Sequence, residues 1–163
     1  MLKSKLPVKT LLLLIIISSF HTNAPAQTVR NFESNVRLNE INAQAFRHFK
    51  KNYSSVNNEY WSKTKDGFVV KFEDQQIINQ VFYDERGAFR YGVKYCEEKD
   101  LGREIRYRVH KEFPGYQIDV VSEINSDDNT IYLMSLKNKT SVKNIMLSDS
   151  DLKVIEDIMY AAR

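Results

Sequence analysis

Two stretches of the chain have the apolar spacing of amphipathic helices. Within about residues 39–53, apolar side chains recur every four residues, at Ile41, Ala45, Phe49 and Tyr53. The same spacing recurs within about residues 100–113, at Leu101, Ile105, Val109 and Phe113. A spacing of four keeps side chains on one face of a helix, so both stretches are predicted to be helical.

Each predicted helix is followed by four short stretches rich in Val, Ile, Tyr and Phe and bounded by polar turn residues, which is the pattern of antiparallel strands. The first set covers residues 56–63, 68–73, 77–83 and 88–95. The second set covers residues 116–123, 130–136, 141–147 and 152–159. This order predicts an α+β fold with two pseudo-repeats of a helix plus four antiparallel strands, at about residues 38–97 and 98–160. We expect both helices to pack on one face of the sheet.

The polar break between two of these stretches, Asp84-Glu85-Arg86-Gly87, places two acids and a base side by side. A reactive site, a metal loop and a hairpin turn are the three interpretations to weigh. Gly87 is placed to take a positive φ, and the side chain of Asp84 can accept hydrogen bonds from the backbone that follows. A hairpin turn is therefore the favoured interpretation.

The N-terminus has the pattern of a secretory signal peptide. Three lysines flank the start of an apolar run at residues 11–17, and Ala24-Pro25-Ala26 offers small residues where a signal peptidase cleaves. The run is shorter than the roughly 20 residues needed to span a membrane. We predict a signal peptide at residues 1–26, a polar leader at 27–37 and one domain at 38–160. The mature chain is expected to be periplasmic or secreted, with no membrane insertion after cleavage.

Charge argues against nucleic acid as a partner. The chain has 24 Lys and Arg against 21 Asp and Glu, and the only three charges of the predicted signal peptide are lysines. Cleavage leaves 21 residues of each sign, whereas phosphate binding requires clustered positive charge. The single cysteine, Cys96, rules out a disulfide within the chain and is expected to be a partly buried thiol.

The sequence shows no recognisable catalytic or metal-binding motif. It contains no HExxH, no CxxC and no complete EF-hand loop. The two histidines of the mature chain, His48 and His110, fall on the predicted helices among Arg and Lys. Joint general base catalysis by the two is conceivable, but exposed or helix-end histidines are the better interpretation. We expect no enzyme activity, no cofactor and no metal site.

Short motifs built from turn and aromatic residues occur in both halves of the chain. In the first half they are Tyr53, Trp61, Asp66, Gly67, Phe72, Phe82, Asp84 and Gly87. In the second half they are Phe113, Pro114, Gly115 and Asp149. With these motifs the chain resembles the PepSY-like, β-lactamase-inhibitor-like (BLIP-like) proteins, a family of small exported bacterial domains. The second half departs from the family pattern, because nothing repeats Trp61 and Ser150 stands where Gly follows the turn Asp.

The resemblance covers about residues 38–160 and implies a small exported domain without a catalytic residue to transfer. The aromatic content adds to this interpretation, since the mature chain has 18 Phe, Tyr and Trp among 137 residues. Aromatic residues serve cores and protein-binding surfaces alike. Our hypothesis is an exported, non-catalytic module that binds an unknown protein or peptide and could inhibit it. The alternative is a periplasmic protein that binds a small ligand, or one with a sensing or structural role in the envelope.

Several predicted strands are apolar on both alternating faces, which requires burial on both sides, and two short helices cover only one. Five aromatic residues are candidates for an exposed patch on the other side: Tyr60, Trp61, Tyr83, Tyr91 and Tyr132. Such a patch would hold a partner or a second copy of the chain in a homodimer. The alternative is that sheet curvature, the leader and the loops cover that face. A register error of one residue would place any of the five in the core.

Overall fold

In the computed structural model, which describes residues 36–160, the strands form one antiparallel sheet. The strands are β1 (Tyr60–Thr64), β2 (Gly67–Asp74), β3 (Ile77–Asp84), β4 (Phe89–Cys96), β5 (Gln117–Asn125), β6 (Thr130–Lys137), β7 (Ser141–Leu147) and β8 (Leu152–Met159). Each strand pairs with the next along the chain, so the sheet order is the sequence order. The predicted signal peptide and all but the last two residues of the predicted leader lie outside the described residues.

Two α-helices accompany the sheet in the described part of the chain: α1 (Ala43–Asn52) and α2 (Arg103–Glu112). Each follows a single turn of 3₁₀ helix, at Leu38–Glu40 and Glu98–Asp100. The side chain of Asn42 caps α1 by accepting a hydrogen bond of 2.8 Å from the backbone N–H of Gln44, which satisfies one of the otherwise unpaired amides at a helix start. Neither helix is long and apolar enough to cross a membrane, and this holds for the described residues as a whole.

The predicted fold class of two pseudo-repeats, each a helix plus four strands, is wrong. The fold is mostly one eight-stranded antiparallel sheet, and the helices are small, with ten residues each. The ladder between β4 and β5 runs from Gly92 opposite Asn125 to Cys96 opposite Val121, so the sheet continues through the expected boundary between repeats. Hydrogen bonding between these strands therefore joins the two stretches that the sequence pattern had treated as separate units.

The helices are shorter than the sequence pattern predicted because the first residue of each apolar stripe lies before its helix. Ile41 (φ −73°, ψ 136°) and Leu101 (φ −75°, ψ 144°) are extended residues that close the two 3₁₀ turns. Both side chains are nevertheless buried. Ile41 and Leu101 are therefore buried on the same side as the helix stripes. This gives the spacing of four in the sequence although their backbone is not helical.

The two helices pack on the same face of the sheet, each over its own cluster of buried side chains. Phe49 of α1 meets Trp61 and Phe72 edge to face, with ring centroids 5.5 and 5.2 Å apart. Val109 of α2 is buried among side chains of β5, β6 and β7, such as Met134. Aromatic pairs of this geometry add to the free energy gained by burying apolar area. We call the opposite side of the sheet the helix-free face.

Candidate binding surface

Strand register places one continuous row of residues across seven strands of the helix-free face. Directly paired neighbours, from β2 to β8, are Glu73, Ile78, Tyr95, Ser122, Leu133, Met146 and Lys153. We call this set the central row. Side chains of successive residues alternate between the faces of a strand, so every member points away from the side that carries α1 and α2. Apart from Ser122 at its middle, the row is apolar between an acid at one end and a base at the other.

A second group of apolar side chains lies beside the central row on the same face. Phe82 and Tyr91 are direct cross-strand partners, and their rings stack with centroids 4.4 Å apart and an interplanar angle of 22°. Val93, Ile124 and Ile131 form a further set of direct partners across β4, β5 and β6. Cross-strand pairs of this kind stabilise the sheet itself. These five residues and the apolar members of the central row are together called the apolar patch.

Exposure within the apolar patch is uneven. Ile78 is 38% exposed and Tyr95 is 40% exposed, although both lie in the interior strands β3 and β4. Ile124 and Leu133, further along the same face, are each only 3% exposed. The patch therefore combines a well-covered part on β5 and β6 with large side chains on β3 and β4 that remain open to solvent. An apolar surface of this kind typically marks an interaction site.

The tyrosines of the apolar patch remain uncharged at ordinary pH. Burial, together with smaller contributions from the neighbouring Tyr95 and Asp66, raises the pKa of Tyr91 to about 12. Burial also raises the pKa of Tyr95. Loss of hydration penalises the phenolate more than the neutral phenol. The patch thus offers neutral hydroxyl groups on a largely apolar surface.

Two of the five aromatic residues predicted for the exposed patch lie in the core instead. Trp61 and Tyr83 are buried beneath α1, with their rings 5.8 Å apart and nearly parallel. The hydroxyl of Tyr83 lies 3.0 Å from Nδ1 of His48 on α1, so this histidine has a structural partner. Periodicity showed which residues of a strand share a face, but it could not show which face the helix covers. That is the reason these two residues were misplaced.

The other three candidates do not lie together either. Tyr132 faces α2 and packs against the core there, because it pairs with Leu147 of that core. Tyr60 on β1 and Tyr91 on β4 do point to the helix-free face, but two strands separate them. The most exposed members of the apolar patch, Ile78 and Tyr95, were not among the candidates. The sequence showed that their strands are apolar on both alternating faces, but it did not show which of the two faces is open to solvent.

The Asp84–Gly87 segment is a hairpin turn, as the sequence pattern favoured. One carboxylate oxygen of Asp84 accepts hydrogen bonds from the backbone N–H groups of Arg86 (3.0 Å) and Ala88 (2.8 Å). Gly87 has the predicted positive φ, at 82°. The acid is thus occupied in holding the turn together, and these contacts account for its position without a chemical role.

Other side chains that could take part in chemistry also have structural roles. Cys96 is buried, and burial raises the pKa of its thiol to about 11, which keeps the reactive thiolate scarce. His110 lies 2.7 Å from a carboxylate oxygen of Glu98 at the surface. Within residues 36–160, the structure contains no group of three or more His, Cys, Asp or Glu side chains arranged to hold a metal ion.

Comparison with solved structures identifies the fold. A DUF2874 family protein from Bacteroides ovatus matches with a TM-score of 0.58 and 14% identity, over 73% of this chain and 87% of that chain. A BLIP-like protein from Bacteroides fragilis matches with a TM-score of 0.58 and 9% identity, over 76% and 89%. A predicted periplasmic protein from Bacteroides eggerthii matches with a TM-score of 0.57 and 12% identity, over 73% and 88%. No protein-family model and no curated protein sequence matches the chain.

At these identities the similarity concerns the fold alone. The chain shares the architecture of the BLIP-like and DUF2874 structures, which confirms the BLIP-like part of the resemblance seen in the sequence at the level of fold. Fold does not define function, which depends on the site that a particular chain builds on it. The apolar patch is the feature of this chain on which a functional argument can rest.

Proposed function

We propose that this chain is an exported, non-catalytic binding module of the PepSY-like type, which binds a protein or peptide through the helix-free face. The observation that carries the proposal is the apolar patch, which crosses the interior strands of the sheet on the side opposite α1 and α2. Ile78 and Tyr95 expose more than a third of their surface there. Exposed tyrosine side chains on an apolar surface are typical of protein-binding sites.

Two independent features support export to the periplasm or the medium. The N-terminal 26 residues have the lysines, the apolar run and the small residues of a signal peptide. One of the structures that shares the fold is a predicted periplasmic protein. The fold also needs no disulfide, since its only cysteine is buried and reduced, and it is held by the two cores beneath the helices.

A protein or peptide suits the face better than a small molecule does. Small-ligand sites are concave and enclose most of the ligand, whereas the apolar patch extends across five neighbouring strands from Ile78 to Met146. An open surface of this extent matches the area that proteins bury against each other. The absence of catalysis in this proposal is supported by the structural roles of Asp84, Cys96 and His48.

The proposal is tested by affinity capture from the periplasm of cells that produce the protein. The variant Tyr95→Asp places a charge in the exposed part of the patch, and Tyr107→Asp places the same charge on α2, where the side chain is also exposed. We expect a captured protein to be lost with Tyr95→Asp and retained with Tyr107→Asp. Capture that both variants retain equally would show that the helix-free face is not the binding surface.

A further inference from the structure

We propose that the occupant of the helix-free face is a second copy of this chain, related to the first by a two-fold axis that runs along β5. This inference rests on the proposed function, because it assigns a partner to the same apolar patch. It is carried by the arrangement of the central row, whose members are fixed by the register of seven strands.

The central row is self-complementary in charge. Ser122 on β5 is its middle residue, with Glu73 three strands away on β2 and Lys153 three strands away on β8. A two-fold axis parallel to the strands at Ser122 turns the second sheet to face the first and places its β8 over β2. Glu73 of each copy then faces Lys153 of the other. One symmetric contact therefore forms two ion pairs from a single acid and a single base, as an isologous interface requires.

The same axis pairs the apolar members of the row. Tyr95 and Leu133 lie one strand to either side of Ser122, and Ile78 and Met146 lie two strands away. Tyr95 of each copy is thus placed over Leu133 of the other, and Ile78 over Met146. Leu133 is only 3% exposed, so Tyr95 and Ile78 supply most of the apolar area of these contacts. The small Ser122 side chain at the axis permits the two sheets to approach to about the 10 Å that stacked sheets adopt. Both copies have the same sense of twist, so the strands remain aligned across the interface.

The groups at the two ends of the row are accessible to a second copy. The side chain of Lys153 is 63% exposed even though it contacts Asp151 of its own chain at 2.7 Å. Glu73 is exposed at the end of β2. Exposed ion pairs contribute little affinity individually, but paired charges at the rim fix the register of an interface and exclude wrong partners. The apolar patch between them would supply the affinity.

The extent of the surface suits a weak, reversible dimer. Six strand spacings between β2 and β8 measure about 29 Å, and the rows of the apolar patch with their side chains extend roughly 20 Å along the strands. The outline of the face measures roughly 600 Å² per copy, but Ile124 and Leu133 within it are already buried, so the interface lies below the range typical of stable complexes. An unrelated peptide or protein would need no matching acid and base at equal distances from a central residue. A two-fold contact between identical copies does require an acid and a base at equal distances from the axis. The register of the central row provides them, which favours a second copy as the partner.

The test is a charge exchange in the mature protein purified from the periplasm, with dimerisation measured by sedimentation equilibrium. Lys153→Glu places two like-charged pairs at the interface, and Glu73→Lys does the same with the opposite sign. Each is expected to weaken dimerisation about tenfold or more. The double variant Glu73→Lys with Lys153→Glu restores both pairs in reverse and should recover most of the affinity. Higher salt should weaken the wild-type dimer, because it screens attraction, and strengthen the dimers of the single variants, because it screens repulsion.

Lys111→Glu and Glu112→Lys on α2 are the matched controls, since both residues are exposed on the helix side. They should leave dimerisation unchanged, and circular dichroism establishes that every variant is folded. A monomer at all concentrations up to about 100 μM overturns the inference. So does a dimer that the single variants do not weaken, or one that the double variant fails to restore. A wild-type protein that stays monomeric but captures another protein in a Tyr95-dependent way would leave the proposed function standing and refute only the second copy.

Discussion

Gly87 lies directly against the side chain of Asn42, the residue that caps α1. A Cβ atom built on Gly87 would come within 2.2 Å of Oδ1 of Asn42 and within 2.9 Å of the backbone nitrogen of Ala45. The amide of Asn42 also donates a hydrogen bond of 3.4 Å to the carbonyl oxygen of Glu85. The hairpin between β3 and β4 therefore packs against the start of α1 and helps to fix the helix on the sheet.

Replacing Gly87 with alanine should destabilise the protein for two reasons. The residue has φ of 82°, a conformation that costs an L-residue about 1–2 kcal/mol. The new methyl group would also displace Asn42 from its capping position, and loss of an N-cap costs about 1 kcal/mol. We expect a decrease of about 2–3 kcal/mol in the free energy of unfolding, measured by urea denaturation.

Gly115 provides the matched control for this experiment. Its φ is 83°, but nothing lies within 4 Å of the position where its Cβ would be. Gly115→Ala should therefore carry the conformational cost alone, about 1–2 kcal/mol. If both variants lost the same stability, the contact with Asn42 would contribute nothing. Glu85→Ala and Arg86→Ala should be nearly neutral, because the turn uses only the backbone of these two residues for its hydrogen bonds.

Phe49 should be among the most costly side chains to remove. It is fully buried, and its ring contacts Trp61, Phe72 and Tyr53 at centroid distances between 5.2 and 5.5 Å. Phe49→Ala leaves a cavity under α1 and is expected to cost about 3–5 kcal/mol. Tyr107→Ala on the exposed side of α2 should change stability by no more than about 0.5 kcal/mol. Equal midpoints for the two variants in urea would contradict this account of the core.

Strand positions were largely predictable from the sequence because alternation and turn residues mark them directly. The structure has β7 at Ser141–Leu147 and β8 at Leu152–Met159, which are the ranges that the pattern predicted. The start of β1 was not predictable in the same way. Val56 is buried as a strand residue would be, but the strand begins four residues later, at Tyr60. Burial and strand pairing are separate properties, and the sequence pattern reports mainly burial.

The faces of β4 were harder to predict because of an irregular register. Phe89 pairs with Tyr83, but Tyr91 pairs with Phe82, so Arg90 is an extra residue in β4. Strict alternation would place Phe89 and Tyr91 on one face, whereas the bulge puts Phe89 against the core under α1. A bulge shifts every side chain beyond it by one position. No residue type in this stretch signals the bulge, so the candidate surface could not be drawn correctly from sequence.

The protein should lose stability in alkaline solution. Burial raises the pKa of Cys96 from about 9 to about 11, so the folded state holds this proton more tightly than the unfolded state does. The stabilising contribution is fully present below pH 9 and is lost as pH rises towards 11. It amounts to about 2–3 kcal/mol at most. Tyr91, with a pKa raised to about 12, extends the loss to higher pH.

Urea denaturation at pH 8 and at pH 10.5 measures this effect. The variant Cys96→Ala removes the titrating thiol, and its stability should fall less between the two pH values than that of the wild type. Tyr107→Phe changes an exposed side chain on α2 and serves as the control for the effect of substitution itself. An unchanged pH dependence in Cys96→Ala would show that the thiol titrates alike in the folded and unfolded states.

The stacked pair of Phe82 and Tyr91 should show a measurable coupling on the helix-free face. Their centroid distance of 4.4 Å and interplanar angle of 22° are those of a stacked pair, which typically contributes about 0.5–1.5 kcal/mol beyond burial. In a double-mutant cycle, Phe82→Ala and Tyr91→Ala should each destabilise the protein, and the double variant should lose less than the sum of the two. The cycle is measured well below the dimer dissociation constant, so that it reports the contact within one chain. If the stability losses of the two single variants added exactly, the two rings would be adjacent without interacting. Strand pairing alone would then fix the positions of these two side chains in the apolar patch.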